Sequence, residues 1–167
     1  MHGLIDKMYD YGWDQIGEGG YSNVFQHPNY PYVVKVFIGD SLYLQYFMLV
    51  IKPNQNNPHV PKVRGKTMRV ADEGYAVRLE QLTPLTSPED PVLDKYLDPR
   101  FSKKRNAFET SIGLLFSKEN LPFLRENWPE LAEILKGIYR ISIMTDFNSR
   151  NVMKRGDTIV ITDPLAE

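Results

Sequence analysis

The sequence contains no cysteine, so disulfide bonds and thiolate chemistry are excluded. It has no strong excess of either charge, and its net charge of -1 does not indicate a basic surface for binding nucleic acid. Long apolar runs are absent too, because the longest, residues 42–51, is interrupted by Gln45 and is too short to span a bilayer. The first residues, MHGLIDKMYDYGW, are too polar for a signal peptide. These absences predict a soluble cytoplasmic protein that contacts neither nucleic acid nor membrane directly.

The first half of the chain has the composition of a β-sheet that carries one helix. Residues 40–51 have helical length and an apolar face, and Pro53 closes that helix. Two later segments, 62–71 and 75–82, predict a hairpin that turns at residues 72–74. The remaining strands are predicted from β-branched and aromatic residues and from their position beside glycines, at residues 13–17, 22–27 and 32–38.

The second half of the chain is predicted to be mainly helical. Residues 83–99 are rich in proline and mark a lobe boundary, within which Ser87 would cap a helix that starts at Pro88. Residues 104–144 predict helices, and Pro129 opens the last of them. A final hairpin is expected to turn at Arg-Gly-Asp and to stop near residue 163. The apolar helix faces are formed by Phe108, Ile112, Leu115 and Phe116, and by Leu131, Ile134, Leu135 and Ile138.

The order of these elements predicts an α+β fold rather than alternating βαβ units. The length of 167 residues favours a single domain with two small lobes. We expect a strand-rich N-terminal lobe at residues 1–83, a hinge and linker at 84–103, and a reduced helical C-terminal lobe at 104–167.

A cluster of glycines lies between the first two predicted strands, in the sequence GEGGYSNV. Dinucleotide-binding and Walker motifs instead place their glycines before a helix, so neither is indicated. A glycine-rich hairpin lets the backbone approach phosphate oxygens, because no side chain holds it away. An ordinary glycine-rich turn explains the stretch equally well when it is taken alone. The candidate phosphate-binding residues are Gly17, Gly19, Gly20, Tyr21, Ser22 and Val24.

Lys35 lies among apolar residues in the middle of the strand predicted at 32–38. Strand alternation places Lys35 on one face of the sheet, with Val34 and Val36 on the other. A lysine buried against a sheet requires an anionic partner, because an unpaired buried ammonium is very costly, and a phosphate would supply one. The alternative is an exposed lysine on a half-solvated strand. The position one strand after the glycines favours the phosphate-binding role.

Polar side chains recur near the C-terminus, in TDFNSRNVM and VITDPL. Asn151 follows Asp146 by five residues, and Asp163 comes at the end of the last predicted strand. One carboxylate could accept the proton of a substrate hydroxyl, while Asn151 and Asp163 carry the hard oxygens that suit magnesium. Each could separately be a surface residue. The glycines, the strand lysine and these three residues would rarely occur in this order by chance.

Taken together, the motifs resemble the protein-kinase superfamily over about residues 13–165. The segments IGEGGYSNVFQHPNYPYVVKVF, SRNVM and VITDP look most similar to the early serine/threonine kinases encoded by T7-like phages. This resemblance implies a minimal two-lobed kinase-like fold, with an antiparallel N-lobe sheet that carries one helix and a catalytic-loop hairpin in the C-lobe. It also implies ATP and Mg²⁺ as cofactors, host proteins such as RNA polymerase as substrates, and the host cytoplasm as the location.

The same resemblance implies a role for each candidate residue. Lys35 would contact the α- and β-phosphates of ATP, and Asp146 would be the catalytic base. Asn151 and Asp163 would bind magnesium, and Tyr21 would be the aromatic residue at the tip of the glycine loop. The backbone of the interlobe hinge would meet the adenine at Glu80 and Leu82.

The sequence departs from the usual kinase pattern at several positions. No glutamate occurs in residues 40–51 to pair with Lys35, and Gln45 could hydrogen-bond to Lys35 but could not neutralise it. We therefore expect that Lys35 pairs directly with Asp163 or with nucleotide, or else that the active arrangement is unusual. The printed sequence ends shortly after Asp163, so no activation segment is expected. The usual His-Arg, Lys and Phe-Gly are replaced by Met144-Thr145, Asn148 and Pro164-Leu165.

Two other functions fit the same residues. A kinase-like module could bind nucleotide and inhibit a host protein by contact, without transferring phosphate. A small-molecule phosphotransferase, or a minimal effector kinase, would share the Asp-x4-Asn and Asp core. A reduced C-terminal lobe would expose apolar surface, so a homodimer is a further expectation.

Overall fold

The computed structural model describes residues 2–70, 74–85, 87, 90–104, 108–142 and 144–166. Its strands are β1 (Asp14–Glu18), β2 (Ser22–Gln26), β3 (Tyr32–Ile38), β4 (Met68–Val70), β5 (Gly74–Glu80), β6 (Thr83–Pro84), β7 (Val152–Arg155) and β8 (Thr158–Ile161). The first five form an antiparallel sheet in the order β1-β2-β3-β5-β4. The last three form a smaller antiparallel sheet in the order β6-β7-β8.

The α-helices of the described residues are α1 (His2–Asp10), α2 (Leu42–Tyr46), α3 (Pro91–Tyr96), α4 (Phe108–Leu115), α5 (Leu121–Asn127) and α6 (Pro129–Ile141). The side chain of Ser41 caps α2, because its Oγ accepts a hydrogen bond of 3.3 Å from the backbone N–H of Leu44. The helix then widens into a π-helical turn, Phe47–Ile51, and ends in a 3₁₀ turn, Lys52–Asn54, which contains Pro53. A second 3₁₀ segment covers Pro99–Lys104.

The two faces of the five-stranded sheet are covered by different helices. Val34 and Val36 face α1, where they join Phe25 and Ala76 in a small apolar cluster. The alternate residues of β3 face α2, so Lys35 shares its face with Phe37. The alternation expected from the sequence of β3 is therefore present, and it places Lys35 on the side of the sheet where the helical half of the chain lies.

A continuous apolar core lies on the α2 side of the sheet and extends into the helical half. It joins β3 and β5 to the buried faces of α2 and its π-helical turn, and then to α3, α4, α5 and α6 and the β7–β8 hairpin. The predicted apolar face of α6 is confirmed, since its four residues are almost completely buried. These residues are Leu131, Ile134, Leu135 and Ile138.

The predicted fold class is confirmed as α+β, with a five-stranded antiparallel sheet followed by helices. One more helix is present in the N-terminal part than expected, because α1 precedes β1. The proline-rich segment also contributes β6, which pairs with β7 of the final hairpin.

The predicted helix cap at Ser87 is wrong. The N-cap of α3 is Asp90, whose side chain accepts a hydrogen bond of 3.1 Å from the backbone N–H of Val92, and Pro91 is the first helical residue. Both Ser87-Pro88 and Asp90-Pro91 fit the same capping rule, and the buried carboxylate of Asp90 also pairs with Lys154 at 2.7 Å. Three predicted features lie wholly or partly outside the described residues: positions 72 and 73 of the turn predicted at 72–74, Pro88 and the side chain of Phe108.

Within the described ranges, none of the helices has both the length and the apolar character that a membrane crossing requires.

Candidate active site

The centre of the candidate site is an ion pair between the two halves of the chain. The Nζ of Lys35, in the middle of β3, donates a hydrogen bond of 2.5 Å to Oδ2 of Asp163, which follows β8. The side chain of Lys35 is 7% exposed and that of Asp163 is 29% exposed, so the pair lies at the edge of the core. Direct pairing with Asp163, one of the two partners expected from the sequence, is therefore the arrangement that is present.

Gln45, the residue of α2 that could have hydrogen-bonded to Lys35, is exposed. The residue of α2 that faces the ammonium is Tyr43, whose ring centroid lies 3.6 Å from Nζ. Cation–π contacts of this kind operate within about 6 Å of the centroid. Lys35 thus lies between a carboxylate and an aromatic ring.

The position of α2 is fixed by a second tyrosine one helical turn further on. The hydroxyl of Tyr46 donates a buried hydrogen bond of 2.8 Å to the carbonyl oxygen of Ile161, two residues before Asp163. Burial, and after it the charge of Asp163, raises the pKa of both Tyr43 and Tyr46 well above the ordinary value, so both phenols are neutral. The helix is therefore joined to the site by uncharged aromatic side chains.

The segment around Asp146 is held against the end of the chain by backbone hydrogen bonds. The N–H of Asp146 donates to the carbonyl of Pro164 at 2.8 Å, and the N–H of Thr162 donates to the carbonyl of Asn151 at 2.9 Å. Thr145 also forms an isolated antiparallel bridge with Leu165. These bonds flank Asp163 on both sides, which explains how residues 17 positions apart in sequence share one site.

Asp146 and Asn151 are directly bonded to each other. The side-chain Nδ2 of Asn151 donates to the Oδ2 and to the backbone carbonyl of Asp146, at 2.9 Å in each case. Asp146 is nevertheless an exposed residue. Because the amide nitrogen is used in this way, the amide oxygen of Asn151 is the atom that could serve as a metal ligand.

A ring contact and a set of hydrogen bonds stabilise the loop between Asp146 and Asn151. Phe147 stacks on Phe116 with ring centroids 4.2 Å apart, which anchors the loop to the helical core. Asn148 forms the turn of this loop. Its side-chain oxygen accepts from the N–H groups of Arg150 at 2.9 Å and Asn151 at 3.2 Å.

The glycine-rich segment forms the β1–β2 hairpin, as predicted. The N–H of Gly19 donates to the carbonyl of Ser22 at 2.8 Å, and Tyr21 at the tip is 47% exposed. None of the three glycines has the left-handed φ that favours glycine. A Cβ on Gly20 would meet no atom within 4 Å, and one on Gly19 would meet only ordinary contacts at 3.8 Å. The chain's own conformation and packing therefore do not require glycine at these two positions.

Of the predicted hinge residues, Glu80 ends β5 and Leu82 follows it, and Glu80 is more constrained than the sequence suggested. Its N–H donates to the carbonyl of Lys62 at 2.9 Å, so an adenine contact there would use the Glu80 carbonyl oxygen. Its carboxylate accepts a hydrogen bond of 2.8 Å from Nε of Arg155, a second from Nη2 of Arg155, and one of 2.6 Å from the N–H of Lys62. Leu82 is half-buried, between β5 and β6.

Arg155 connects Glu80 to the segment at residues 58–60. Besides Glu80, its guanidinium donates to the carbonyl oxygens of Pro58 at 2.8 Å and Val60 at 3.1 Å. Burial opposes ionisation of Glu80, but the hydrogen bonds from Arg155 and Lys62 outweigh it and hold the pKa of Glu80 below its ordinary range. The Arg-Gly-Asp tripeptide is the turn of the β7–β8 hairpin, with Gly156 at a φ of +58°.

The residues at the centre of the site fit a magnesium ion. Asp163 and Asn151 provide a carboxylate and an amide oxygen, which are hard donors, on adjoining backbone segments. The described residues contain no group of three or more His, Cys, Asp and Glu side chains that could hold a metal by itself. A magnesium ion here would therefore complete its coordination with phosphate oxygens and water, as it commonly does in phosphoryl-transfer sites.

The structure thus brings Lys35, Asp146, Asn151 and Asp163 into one site, and the glycine hairpin belongs to the same sheet as Lys35. Sequence reasoning missed Tyr43, although two tyrosines three residues apart in a short amphipathic helix were a usable signal. It also missed the contacts of Arg155, for which the sequence carries no signal beyond the turn itself.

No protein-family model matches the chain, and no curated protein matches it either. Among solved structures, the chain is similar to the crystal structure of Rad53 1-466 in complex with AMP-PNP. The similarity covers 93% of this chain and 38% of that chain, with 15% sequence identity and a TM-score of 0.43. At this TM-score the likeness identifies neither a family nor a function.

Proposed function

We propose that this chain is an ATP-dependent phosphotransferase of the protein-kinase type, which transfers the γ-phosphoryl group of ATP to a serine or threonine hydroxyl of a protein. The observation that carries the proposal is the Lys35–Asp163 ion pair of 2.5 Å beside the hydrogen-bonded Asp146 and Asn151. A buried cation, a candidate base and two hard-oxygen side chains are the groups that phosphoryl transfer needs.

The glycine hairpin supports a nucleotide ligand independently of the charged residues. Neither backbone conformation nor packing within the chain accounts for glycine at positions 19 and 20. Close approach of a ligand to the hairpin backbone does account for it, because a side chain would hold phosphates away. Lys35 lies on β3, which pairs directly with the second strand of this hairpin.

Each side chain would have a defined part in the transfer. The ammonium of Lys35 neutralises phosphate charge, and the carboxylate of Asp146 orients the acceptor hydroxyl and accepts its proton. A bond then forms between the acceptor oxygen and the γ-phosphorus, while the bond from that phosphorus to the bridging oxygen breaks and ADP leaves. Asn151 and Asp163 would hold Mg²⁺, which supplies further neutralisation of phosphate charge when it is bound.

The resemblance to the phage early kinases extends the proposal to substrates and location. The acceptors would be host proteins, RNA polymerase among them, and the reaction would take place in the host cytoplasm. The proposal includes an N-lobe at residues 1–83, a hinge and linker at 84–103 and a reduced C-lobe at 104–167. Labelled proteins from a host lysate, identified by mass spectrometry, would name the substrates.

The test is transfer from γ-labelled ATP with magnesium, comparing the natural chain with Asp146→Asn. This isosteric change removes the base while an amide oxygen can still accept from Asn151, so transfer should fall by about 10²–10⁴-fold with unchanged thermal unfolding. Asp10→Asn, which changes an exposed residue of α1, is the matched control and should retain full transfer. Undiminished transfer in Asp146→Asn, or none from the natural chain, would overturn the proposal.

A second candidate is a nucleotide-binding module that inhibits a partner without chemistry. One observation favours it: Leu42–Tyr46 carries no acidic residue that could pair with Lys35, and the contact there is an aromatic ring. Mg-ATP would then raise the melting temperature while no label reached any acceptor.

A further inference from the structure

We propose that Tyr43 is a positioning residue for Lys35, whose aromatic face holds the ammonium in place without neutralising it. The inference rests on the proposed function for its consequence in catalysis, but its physical content concerns only the lysine and the ring. It explains how α2, which has no acidic side chain, can still position Lys35, the residue expected to bind phosphate.

The contact is close and shielded from water. The Nζ of Lys35 lies 3.6 Å from the ring centroid. Taken as whole residues, Lys35 and Tyr43 are only 6% and 3% exposed. Cation–π attraction is strongest when the cation has lost its hydration, because water no longer competes for the charge. The carboxylate of Asp163 and the ring of Tyr43 therefore both help to offset the burial of this ammonium.

The ring itself is held by other aromatic side chains. Phe37, two residues after Lys35 on the same face of β3, meets Tyr43 edge-on at 4.8 Å, and Tyr46 meets it edge-on at 6.2 Å. Edge-to-face pairs have a preferred geometry and resist rotation of the rings. The orientation of the Tyr43 face towards Lys35 is thus fixed by its neighbours.

An aromatic partner differs from an acidic one in a way that matters for binding phosphate. A carboxylate on α2 would cancel one unit of charge beside the ammonium, whereas a neutral ring attracts the cation through its quadrupole and leaves the net charge intact. If Asp163 held a metal ion, the ring would still support Lys35, whose charge would be available to phosphate oxygens.

The same helix also fixes the segment that carries Asp163. Tyr46 bonds to the carbonyl of Ile161, so a displacement of α2 would move the support of Lys35 and the strand before Asp163 together. The π-helical turn that follows, Phe47–Ile51, is a helix distortion that often occurs at functional sites. Through Tyr43 and Tyr46, α2 therefore helps to position both Lys35 and Asp163.

The test compares Tyr43→Phe, which keeps the ring, with Tyr43→Leu, which removes it. A series of Phe analogues at position 43 with one, two and three ring fluorines keeps the shape and weakens the quadrupole stepwise. This series remains informative if Tyr43→Leu does not fold, and circular dichroism verifies the fold of every variant. The first readout is the free energy of unfolding in urea at pH 7 without nucleotide, measured for each variant of position 43 both with Lys35 and with Lys35→Met, which gives the coupling energy between the ring and the ammonium.

The proposal expects Tyr43→Phe to match the natural chain in its coupling energy with Lys35. The coupling energy should fall progressively along the fluorinated series and be lost in Tyr43→Leu, because a weaker quadrupole attracts the ammonium less. The second readout is kcat and KM for ATP, where removal of the ring should reduce kcat/KM by roughly 10- to 30-fold.

The outcomes separate this inference from the proposed function. A coupling energy with Lys35 that is identical across all variants of position 43 would overturn the role of Tyr43, whatever the activity. A coupling energy that falls as expected, in a protein that transfers no phosphate, would support the role of the ring and count against the kinase activity.

Discussion

Lys35 and Asp163 lie 128 residues apart in the chain, and yet Nζ of the first is 2.5 Å from Oδ2 of the second. The pair connects the middle of β3 to the end of the β7–β8 hairpin. It therefore combines a structural role with the proposed chemical one, and the two can be measured separately.

Replacing Asp163 with asparagine should lower the free energy of unfolding by roughly 1–3 kcal/mol, because it leaves a largely buried ammonium without its carboxylate. Urea denaturation of Asp163→Asn, Lys35→Met and the double variant gives the coupling energy of the pair. The double variant should be less destabilised than the sum of the single changes. Additive effects would show that the contact contributes nothing to folding.

Replacing Gly20 with alanine should weaken nucleotide binding without harming the fold. The added methyl group meets no atom within 4 Å, and the backbone is not left-handed there, so the free energy of unfolding should be unchanged or raised by up to ~1 kcal/mol. ATP affinity, measured by calorimetry, should fall by roughly tenfold. Gly3→Ala, at another open position, is the control and should leave ATP affinity unaltered.

The Glu80–Arg155 pair should make stability depend on acid pH. Since the folded-state pKa of Glu80 is lowered, its stabilising contribution is complete above the ordinary carboxyl pKa of about 4.3 and is lost as pH falls through the lower folded value. Glu80→Gln should therefore cost about 1–3 kcal/mol at pH 7, and less as the pH falls below 4.

The measurement for this pair is urea unfolding of both proteins from pH 7 to pH 3. Glu133→Gln, which breaks the exposed pair with Lys136, is the matched control and should change stability by less than ~0.5 kcal/mol. A constant difference between Glu80→Gln and the natural chain at every pH would contradict the prediction.

His59 should add a second pH dependence nearer neutrality. Its ring is buried and Nδ1 lies 2.7 Å from the carbonyl oxygen of Ile159. Burial lowers its pKa although this hydrogen bond partly opposes the effect. The unfolded chain therefore binds the proton more readily, so stability should be complete above about pH 6.5 and should fall as the pH drops below it.

Melting temperatures between pH 7.5 and 5 would measure this effect. His59→Gln should be less stable at pH 7.5 but should show a flatter decline towards pH 5, and His27→Gln serves as the matched histidine control. An equally steep decline in His59→Gln would assign the pH dependence to other groups.

Local patterns in the sequence predicted the elements well where one face is buried. The alternation around Lys35 and the helical spacing from Leu131 to Ile138 both reflect burial on one side, and both are present. Capping chemistry was less decisive, because Ser87-Pro88 and Asp90-Pro91 satisfy the same rule and only the buried pairing of Asp90 with Lys154 distinguishes them.

Long-range contacts were harder to predict, for a physical reason. The charges of Glu80 and Arg155 suit many partners, and only the packing of β5 beside the final hairpin selects this pair. Tyr43 was missed because the search near Lys35 was for a hydrogen-bonding or charged group, whereas the ring acts through its quadrupole. The assignments of Lys35, Asp146, Asn151 and Asp163 to nucleotide and metal stay predictions.

The apolar core that runs from β3 through α2 to α6 has a consequence for how the molecule loses its structure. With the sheet and the helices sharing that core, neither half should melt before the other, and the chain should unfold in one cooperative step. Trp13 lies at the edge of the apolar cluster under α1, and Trp128 packs against the main core. Fluorescence from these two natural probes should therefore report the same midpoint.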